Sequence, residues 1–303
     1  MTPDTGTAST VEKEMRTSAP FNFIIPIRHP ETVSNLREQQ RVLIDLLRSI
    51  DAQTDRRFAV YVACNPEQVL PPHEPYVHRV DIDLPPNTQL TKAKTMEELY
   101  DMIRNDKGQR IAAALDVIND ENAYVMVVDD DDFVSSRLVE FVLSQEGEKT
   151  GWLVKKGYSW ISGSNHVYEV EGFHRLCGTS IVVPAHYYAY VRKQGSIRDS
   201  IQELGGHRAV VDSAHRNKLT FRHLPFHGAI YRLGHSNASQ SDVQRLTADG
   251  ISLKKPGMIE RGIAKIGRML TGAKLEEGPK TRQDYPIEIE TNLMREFFGR
   301  QTT

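Results

Sequence analysis

Cysteine and tryptophan are scarce in this chain of 303 residues, with two of each, and neither sign of charge dominates. Cys64 and Cys177 stand far apart with no Cys-x-x-Cys spacing, so neither a disulfide framework nor a cysteine-based zinc site is indicated. Two such thiols suit a reducing cytoplasm. The 38 Lys and Arg nearly balance the 40 Asp and Glu, for a formal net charge of -2, so the whole chain presents no basic footprint for nucleic acid. No apolar run approaches the length that spans a bilayer. Pro26 to Pro30 contains no glycine, which argues against a glycine-rich phosphate loop after the first apolar strand. Internal repeats and low-complexity tracts are also missing.

What is there is ordinary for a globular protein: 39% hydrophobic and 26% charged residues, in a chain long enough to bury a full core. Residues 1–20, rich in Thr, Ser, Pro and charge and without the apolar segment of a signal peptide, are expected to be a disordered leader. Phe21 to Ile27 is an apolar run of the kind a buried parallel strand needs, turned outward at Pro26. Helical spacing of Leu36, Val42, Leu43, Leu46, Leu47 and Ile50 predicts a helix over Val33 to Ile50. Strands are expected at Phe58–Cys64 and Val77–Ile82, a helix at Thr95–Asn119 with a possible break near Gly108, and a strand at Ala123–Val128. This alternation predicts an α/β, Rossmann-like fold with a mostly parallel central sheet, in which ligands bind outside the carboxyl ends of the strands. Pro26 to Arg28, Cys64-Asn65 and the chain from Asp129 should meet in one cleft. Beyond Glu146, Trp152–Val154, Ser159–Ser162 and Thr179–Pro184 are expected to build a second, smaller mixed sheet, and Ile201–Lys218 an interrupted helix.

The apolar strand at Ala123–Val128 runs directly into Asp129-Asp130-Asp131-Asp132. Four adjacent carboxylates repel one another, and a hard divalent cation such as Mn²⁺ or Mg²⁺ that bridges to phosphate offsets that repulsion. If the extended chain persists, Asp129 and Asp131 point the same way. The alternative is a solvated acidic turn in which Asp132 caps the next helix.

Tyr124 to Phe133 resembles the DxD motif of GT-A glycosyltransferases, and Phe23-Ile24-Ile25-Pro26-Ile27 resembles their opening strand. The similarity is closest to the inverting, family-2-like members and spans about residues 21 to 240 in the order of elements. It implies a nucleotide-sugar donor, with Pro26 and Arg28 lining the base pocket, and Asn65 or Asp83 as further uracil or ribose contacts. Lys107 and Arg110 would lie near the nucleotide, with Asp129 and Asp130 against the nucleotide-sugar. The metal would fall to Asp129, Asp131 and Asp132, joined by His235 late in the domain, an imidazole ligand that suits Mn²⁺ better than Mg²⁺. Gly178-Thr179-Ser180 resembles the small-residue segment beside the donor sugar, where Gly178 lets backbone approach ligand. Arg28-His29 departs from the small or aromatic residues common after the opening proline.

The family also implies an acidic general base at the start of a later helix, here the region Glu203 to Asp212, which lacks the usual Glu-Asp pair. Asp212 is the first choice, His207 the second because imidazole titrates near neutral pH, and Glu203 the third. Each has an ordinary helix-surface role as its alternative. Tyr158, Trp152 and Trp160 offer an acceptor platform or plain core aromatics.

The resulting expectation is a metal-dependent transferase with a GT-A domain over residues 21–245. Its 21–145 half binds nucleotide and its 146–245 half binds acceptor, and residues 246–303 form a C-terminal helical extension. It would move a sugar, with a UDP-sugar favoured, to a saccharide, glycolipid or other hydroxyl acceptor, with inversion. A sugar nucleotidyltransferase and a non-catalytic carbohydrate- or nucleotide-binding module are the rival readings on the same fold. Within residues 251–274, six basic residues accompany the single acid Glu260, and Ile259, Ile263, Ile266 and Leu270 recur at helical spacing. That pattern fits peripheral contact with the inner face of a membrane, or packing on the domain or a second subunit.

Overall fold

The computed structural model describes residues 19–88, 93, 95–145, 150–188, 197–216, 218–237 and 286–299. Nearly all of the expected leader, and the whole basic stretch 251–274, lie outside the described residues.

The first strand, β1 (Phe21–Pro26), is buried at every position, as its apolar run requires of a strand covered on both faces. Its side chains divide between two cores. Phe21, Phe23 and Ile25 pack with Leu43, Leu46 and Ile50 of α1 (Leu36–Asp51), whereas Ile24 joins Ile111, Ala112 and Ala114 of α2 (Met96–Val117). That division is the period-two alternation of a strand held between helices. Helix α1 begins three residues later than its apolar spacing suggests, because the Asn35 side chain accepts from the Glu38 N–H and caps it there.

Parallel strands β2 (Phe58–Cys64) and β3 (Val77–Asp81) extend the sheet on one side of β1, and β4 (Tyr124–Val127) pairs parallel with it on the other. The chain thus winds outward through β2 and β3, then returns through α2 to the far side of β1. Winding reverses between β1 and β4, and at such a reversal the connections leave a crevice at the carboxyl ends of the two strands.

A short β5 (Phe133–Val134) and helix α3 (Leu138–Ser144) follow, then β6 (Gly151–Leu153), β7 (Lys156–Ile161), β8 (His166–Glu171) and β9 (Ile181–Pro184). Two helices, α4 (Ile197–Gly205) and α5 (His207–Arg216), lead to β10 (Phe221–His223) and β11 (His227–Leu233). The last described elements are β12 (Ile287–Glu288) and α6 (Thr291–Phe298). The larger sheet has the order β10-β6-β9-β4-β1-β2-β3, and the smaller, mixed sheet β12-β8-β7-β11-β5. The α/β architecture with a mostly parallel central sheet and a second mixed sheet is therefore present.

Three local expectations change. Trp152–Val154 and Thr179–Pro184, expected in the second sheet, lie in the main one: β9 runs antiparallel along β4 and β6 antiparallel along β9. Helix α2 does not break at Gly108. That glycine lets α2 and α4 cross with their backbones in contact: a Cβ on Gly108 would collide with the Ile201 carbonyl, and one on Gly205 with the Arg104 carbonyl. Residues 286–299, expected within a helical extension, instead add a strand to the smaller sheet and dock a helix on the domain. Phe298 packs 4.7 Å from Phe133, and Glu296 accepts hydrogen bonds from Ser135 and Arg137. No helix among the described residues is long and apolar enough to cross a membrane.

Candidate functional site

A cleft of about 160 Å³ opens where the winding reverses. Pro26, Arg28 and Thr32 line it from the end of β1 and the loop beyond, and Asp129, Asp130 and Asp131 from the end of β4. Helix α2 contributes Ile103, Asp106, Lys107 and Arg110, β11 contributes Tyr231 and Arg232, and Asn87 completes the wall. The expected meeting of the first and fourth strand ends therefore occurs.

The four aspartates form a turn rather than an extended run: the Asp132 N–H returns to the Asp129 carbonyl at 3.2 Å. Each has a different fate. Asp129 pairs with Lys107. Asp130 faces the cleft, and burial followed by the charge of Asp131 pushes its pKa up to about 6. Burial alone would also raise Asp131, but its 2.7 Å hydrogen bond to His235 Nε2 and the nearby positive charges hold it below the usual carboxylate range.

Asp132 turns inward and is fully buried. Its Oδ2 accepts from the Thr179 hydroxyl at 2.5 Å and the Cys177 thiol at 3.0 Å, and its Oδ1 accepts from the Arg232 N–H at 3.2 Å. Burial, then the charges of Asp131 and Asp129, raise its pKa well above the usual value. Every oxygen is committed to the fold, so Asp132 is an anchor rather than a metal ligand. It does not cap the next helix either, since α3 begins after Arg137.

Gly234 makes the turn that brings His235 to Asp131. Its φ of +75° is left-handed, where a side chain is strained, so the chain reverses immediately after β11. His235 is buried and does not line the cleft; its Nε2 is spent on Asp131, so it orients that carboxylate from behind. The segment after it is strapped to the start of α1. Asn237 accepts from the Ser34 hydroxyl and the Asn35 N–H, and donates to the Asn35 carbonyl at 2.8 Å.

The cationic side of the cleft is built on pairs. Arg110 is fully buried, with Nε and Nη2 held by Asp106 at 2.9 and 3.0 Å, and its Nη1 has no hydrogen-bond partner among the described residues. Arg232 is equally buried, bonds Asp45 at 2.9 Å, and lies 4.5 Å from the Phe133 ring and 5.2 Å from that of Trp160. The cleft thus sets four cations (Arg28, Lys107, Arg110, Arg232) among four carboxylates (Asp106, Asp129, Asp130, Asp131). A cleft of near-zero net charge with both signs exposed suits a ligand that itself carries both signs.

Gly178 sits against this arrangement. A Cβ there would lie 2.7 Å from Asp129 Oδ2 and 3.0 Å from Lys107 Nζ, so only glycine leaves room for the pair. Behind Lys107 is a smaller cavity of about 20 Å³, bordered by Gly178, Tyr188, Leu204 and His207.

Several expected residues lie elsewhere. Asn65 is buried and its amide holds the Leu84 carbonyl at 2.7 Å, while Asp83 is exposed; neither lines the cleft. Asp212 is exposed on α5, and Glu203 pairs with Arg216 at 2.8 Å. Of the three expected bases, His207 borders the rear cavity and none lines the cleft; burial, then the charges of Lys107 and Arg208, push the pKa of His207 down to about 3. Trp152 is core, packed edge-on with Phe141, and Trp160 packs on Phe133 and Phe298.

Sequence reasoning passed over Asp106 and Arg232. An Asp-x-x-x-Arg pair on one helix face was a legible signal for the first. Arg232 stands three residues before His235 in the same segment, yet nothing local marks it as buried.

Compared with protein-family models, the chain matches none, and a comparison with curated proteins finds no match.

Proposed function

We propose that the chain is a metal-dependent glycosyltransferase that takes a nucleoside-diphosphate sugar and delivers the sugar to a hydroxyl acceptor. The observation that carries this reading is the three-carboxylate turn at the end of β4. It shares one cleft with Arg28, Lys107 and Arg110, at the point where the winding of a parallel sheet reverses. Cations there attract a diphosphate, and carboxylates attract the ion that accompanies it.

The donor set fits Mn²⁺ or Mg²⁺ bound together with substrate. Among the described residues no three His, Cys, Asp or Glu side chains are grouped to hold an ion by themselves. Asp129 and Asp131 would supply one or two oxygens and leave the remainder to phosphate and water, the mode magnesium favours at phosphate sites. When bound, the ion neutralises charge on the departing diphosphate. The chain's own residues do the rest. Pro26 and Thr32 wall the end of β1, where a base would lie, Arg110 presents a buried guanidinium to the phosphates, and His235 fixes the Asp131 carboxylate.

The direct test is a thermal-shift screen of UDP, GDP, CDP and their sugars with Mn²⁺. One of these nucleotides should raise Tm by several degrees, and EDTA or Asp131→Ala should remove the shift. A nucleotide shift of the same size in EDTA would overturn the metal-dependent reading. With the donor known, NMR of the product anomer checks the inverting course that the resemblance implies.

A further inference from the structure

The pair Lys107–Asp129 poses a problem for any cation that enters the cleft. Lys107 already neutralises Asp129, so a metal taking that carboxylate must displace an ammonium group. A displaced ammonium stranded in apolar surroundings without an acceptor would be strongly disfavoured. The fold supplies somewhere for it to go.

Lys107 borders both the cleft and the rear cavity of about 20 Å³. That volume exceeds the roughly 10–15 Å³ a water-sized group needs, and an ammonium group is of that size. Val127, Ile181, Leu204 and Val210 give the cavity apolar walls, and besides Lys107 itself its polar side chains are those of His207 and Tyr188. The Nε2 of His207 is enclosed and has no hydrogen-bond partner among the described residues. The ring also makes a hydrogen bond to the Arg175 backbone, which must use Nδ1. With the proton on Nδ1, the neutral ring offers Nε2 as an acceptor. A buried acceptor without a donor is costly, and an acceptor beside a mobile lysine ammonium is a berth for it.

We propose that Lys107 guards the divalent-cation site: its ammonium holds Asp129 before ligand arrives, and moves into the rear cavity onto His207 Nε2 when a metal takes that carboxylate. The inference rests on the reading that Asp129 and Asp131 take a divalent cation. It explains why Gly178 has no side chain, since a Cβ would stand within 3.0 Å of Lys107 Nζ, at the border of both cavities. It also gives His207 a role other than proton transfer. The metal site stays masked against stray cations, and opens when the combined affinity of ion and diphosphate exceeds that of the lysine.

Titration with Mn²⁺ alone, followed by the EPR signal of the free ion, tests the sign. Lys107→Met removes the competitor and should tighten Mn²⁺ binding about fivefold or more. Lys107→Arg keeps the charge but presents a guanidinium too large for the cavity, so it should bind Mn²⁺ more weakly than wild type. His207→Phe should weaken Mn²⁺ binding when Lys107 is present and have no effect in the Lys107→Met background. Lys107→Met binding no tighter than wild type, or Lys107→Arg binding equally well, overturns the guard. If neither wild type nor Lys107→Met binds Mn²⁺ with or without UDP, the metal site itself falls and the guard with it. Binding by both with equal affinity removes the guard alone.

Discussion

Thr179 stands 2.5 Å from Asp132 and donates its hydroxyl proton to the buried carboxylate. The same hydroxyl accepts the Asp129 N–H at 2.9 Å, so one side chain on the approach to β9 pins both ends of the aspartate turn. Three carboxylates can face the cleft because the fourth is fastened behind them.

Removing that fastening should cost stability before it costs binding. Asp132→Ala leaves the Thr179 hydroxyl, the Cys177 thiol and the Arg232 N–H without their acceptor, a loss of roughly 2–4 kcal/mol. Tm should fall by roughly 5–10 °C. Thr179→Val should lower it by less. Thermal unfolding without ligand is the measurement, and an Asp132→Ala protein that melts with wild type while losing its metal response would restore Asp132 as a ligand.

Gly178→Ala should act on the site rather than on the fold. Its Cβ would press on Asp129 Oδ2 at 2.7 Å and Lys107 Nζ at 3.0 Å. Both groups are the ends of side chains and can move. The expected result is a Tm within about 3 °C of wild type, from a strain of about 1 kcal/mol, and nucleotide-dependent stabilisation by Mn²⁺ reduced about tenfold or more in apparent affinity. Unaltered affinity would show that the pair tolerates displacement.

The α2–α4 crossing predicts the opposite pattern. Ala at Gly108 or Gly205 would meet a backbone carbonyl, which no side-chain rotation relieves. Each substitution should destabilise by roughly 3 kcal/mol or more. Gly206→Ala presses on the flexible Arg104 side chain at 3.1 Å and meets the Gln202 carbonyl at an ordinary 3.4 Å, so it should be mild. Soluble yield and Tm of the three variants decide the point, and near-wild-type melting of Gly108→Ala would refute the contact.

Acid stability should be shaped by two opposing groups. His207 takes a proton below its ordinary 6.5 when unfolded, but only near pH 3 when folded. Stability contributed by keeping it neutral is present above pH 6.5 and drains as pH falls through that window, by at most about 1.4 kcal/mol per pH unit. Asp130 works in reverse: between its ordinary 3.8 and about 6 the folded chain holds a proton the unfolded chain has lost, so acidification there favours the fold. His207→Gln should therefore flatten the decline of Tm from pH 7 to 4.5, and Asp130→Asn should steepen it while raising Tm at pH 7. Profiles that superimpose on wild type would show that neither group is linked to folding.

Much of the fold was legible because local chemistry and global burial agree in the first half. The run Phe21 to Ile27 is apolar at every residue but Asn22, which points to a strand covered on both faces, and the spacing of Leu43, Leu46 and Ile50 points to one buried helix face. Order then follows from connection rules, and the joint cleft of β1 and β4 from order. The second half was less legible. Trp152-Leu153-Val154 is as apolar as a strand of either sheet, and nothing local says which sheet it joins; its antiparallel place beside Ile181 and Val182 is a long-range pairing.

The site divides the same way. Composition and position place a carboxylate cluster at the end of a buried strand, whereas the late histidine comes from the family resemblance. Which groups are present is a local matter: four aspartates follow an apolar run, and an Asp-Arg pair stands one helical turn apart on α2. What each group does depends on long-range packing. Asp132 and Asp131 are neighbours of identical chemistry, yet one is spent on Thr179, Cys177 and the Arg232 backbone while the other is held by His235 at the cleft. The difference lies in partners that stand 45 to 104 residues away along the chain. A carboxylate's role follows from the donors and charges packed around it, and those are fixed by the fold's long-range pairings rather than by its neighbours in sequence.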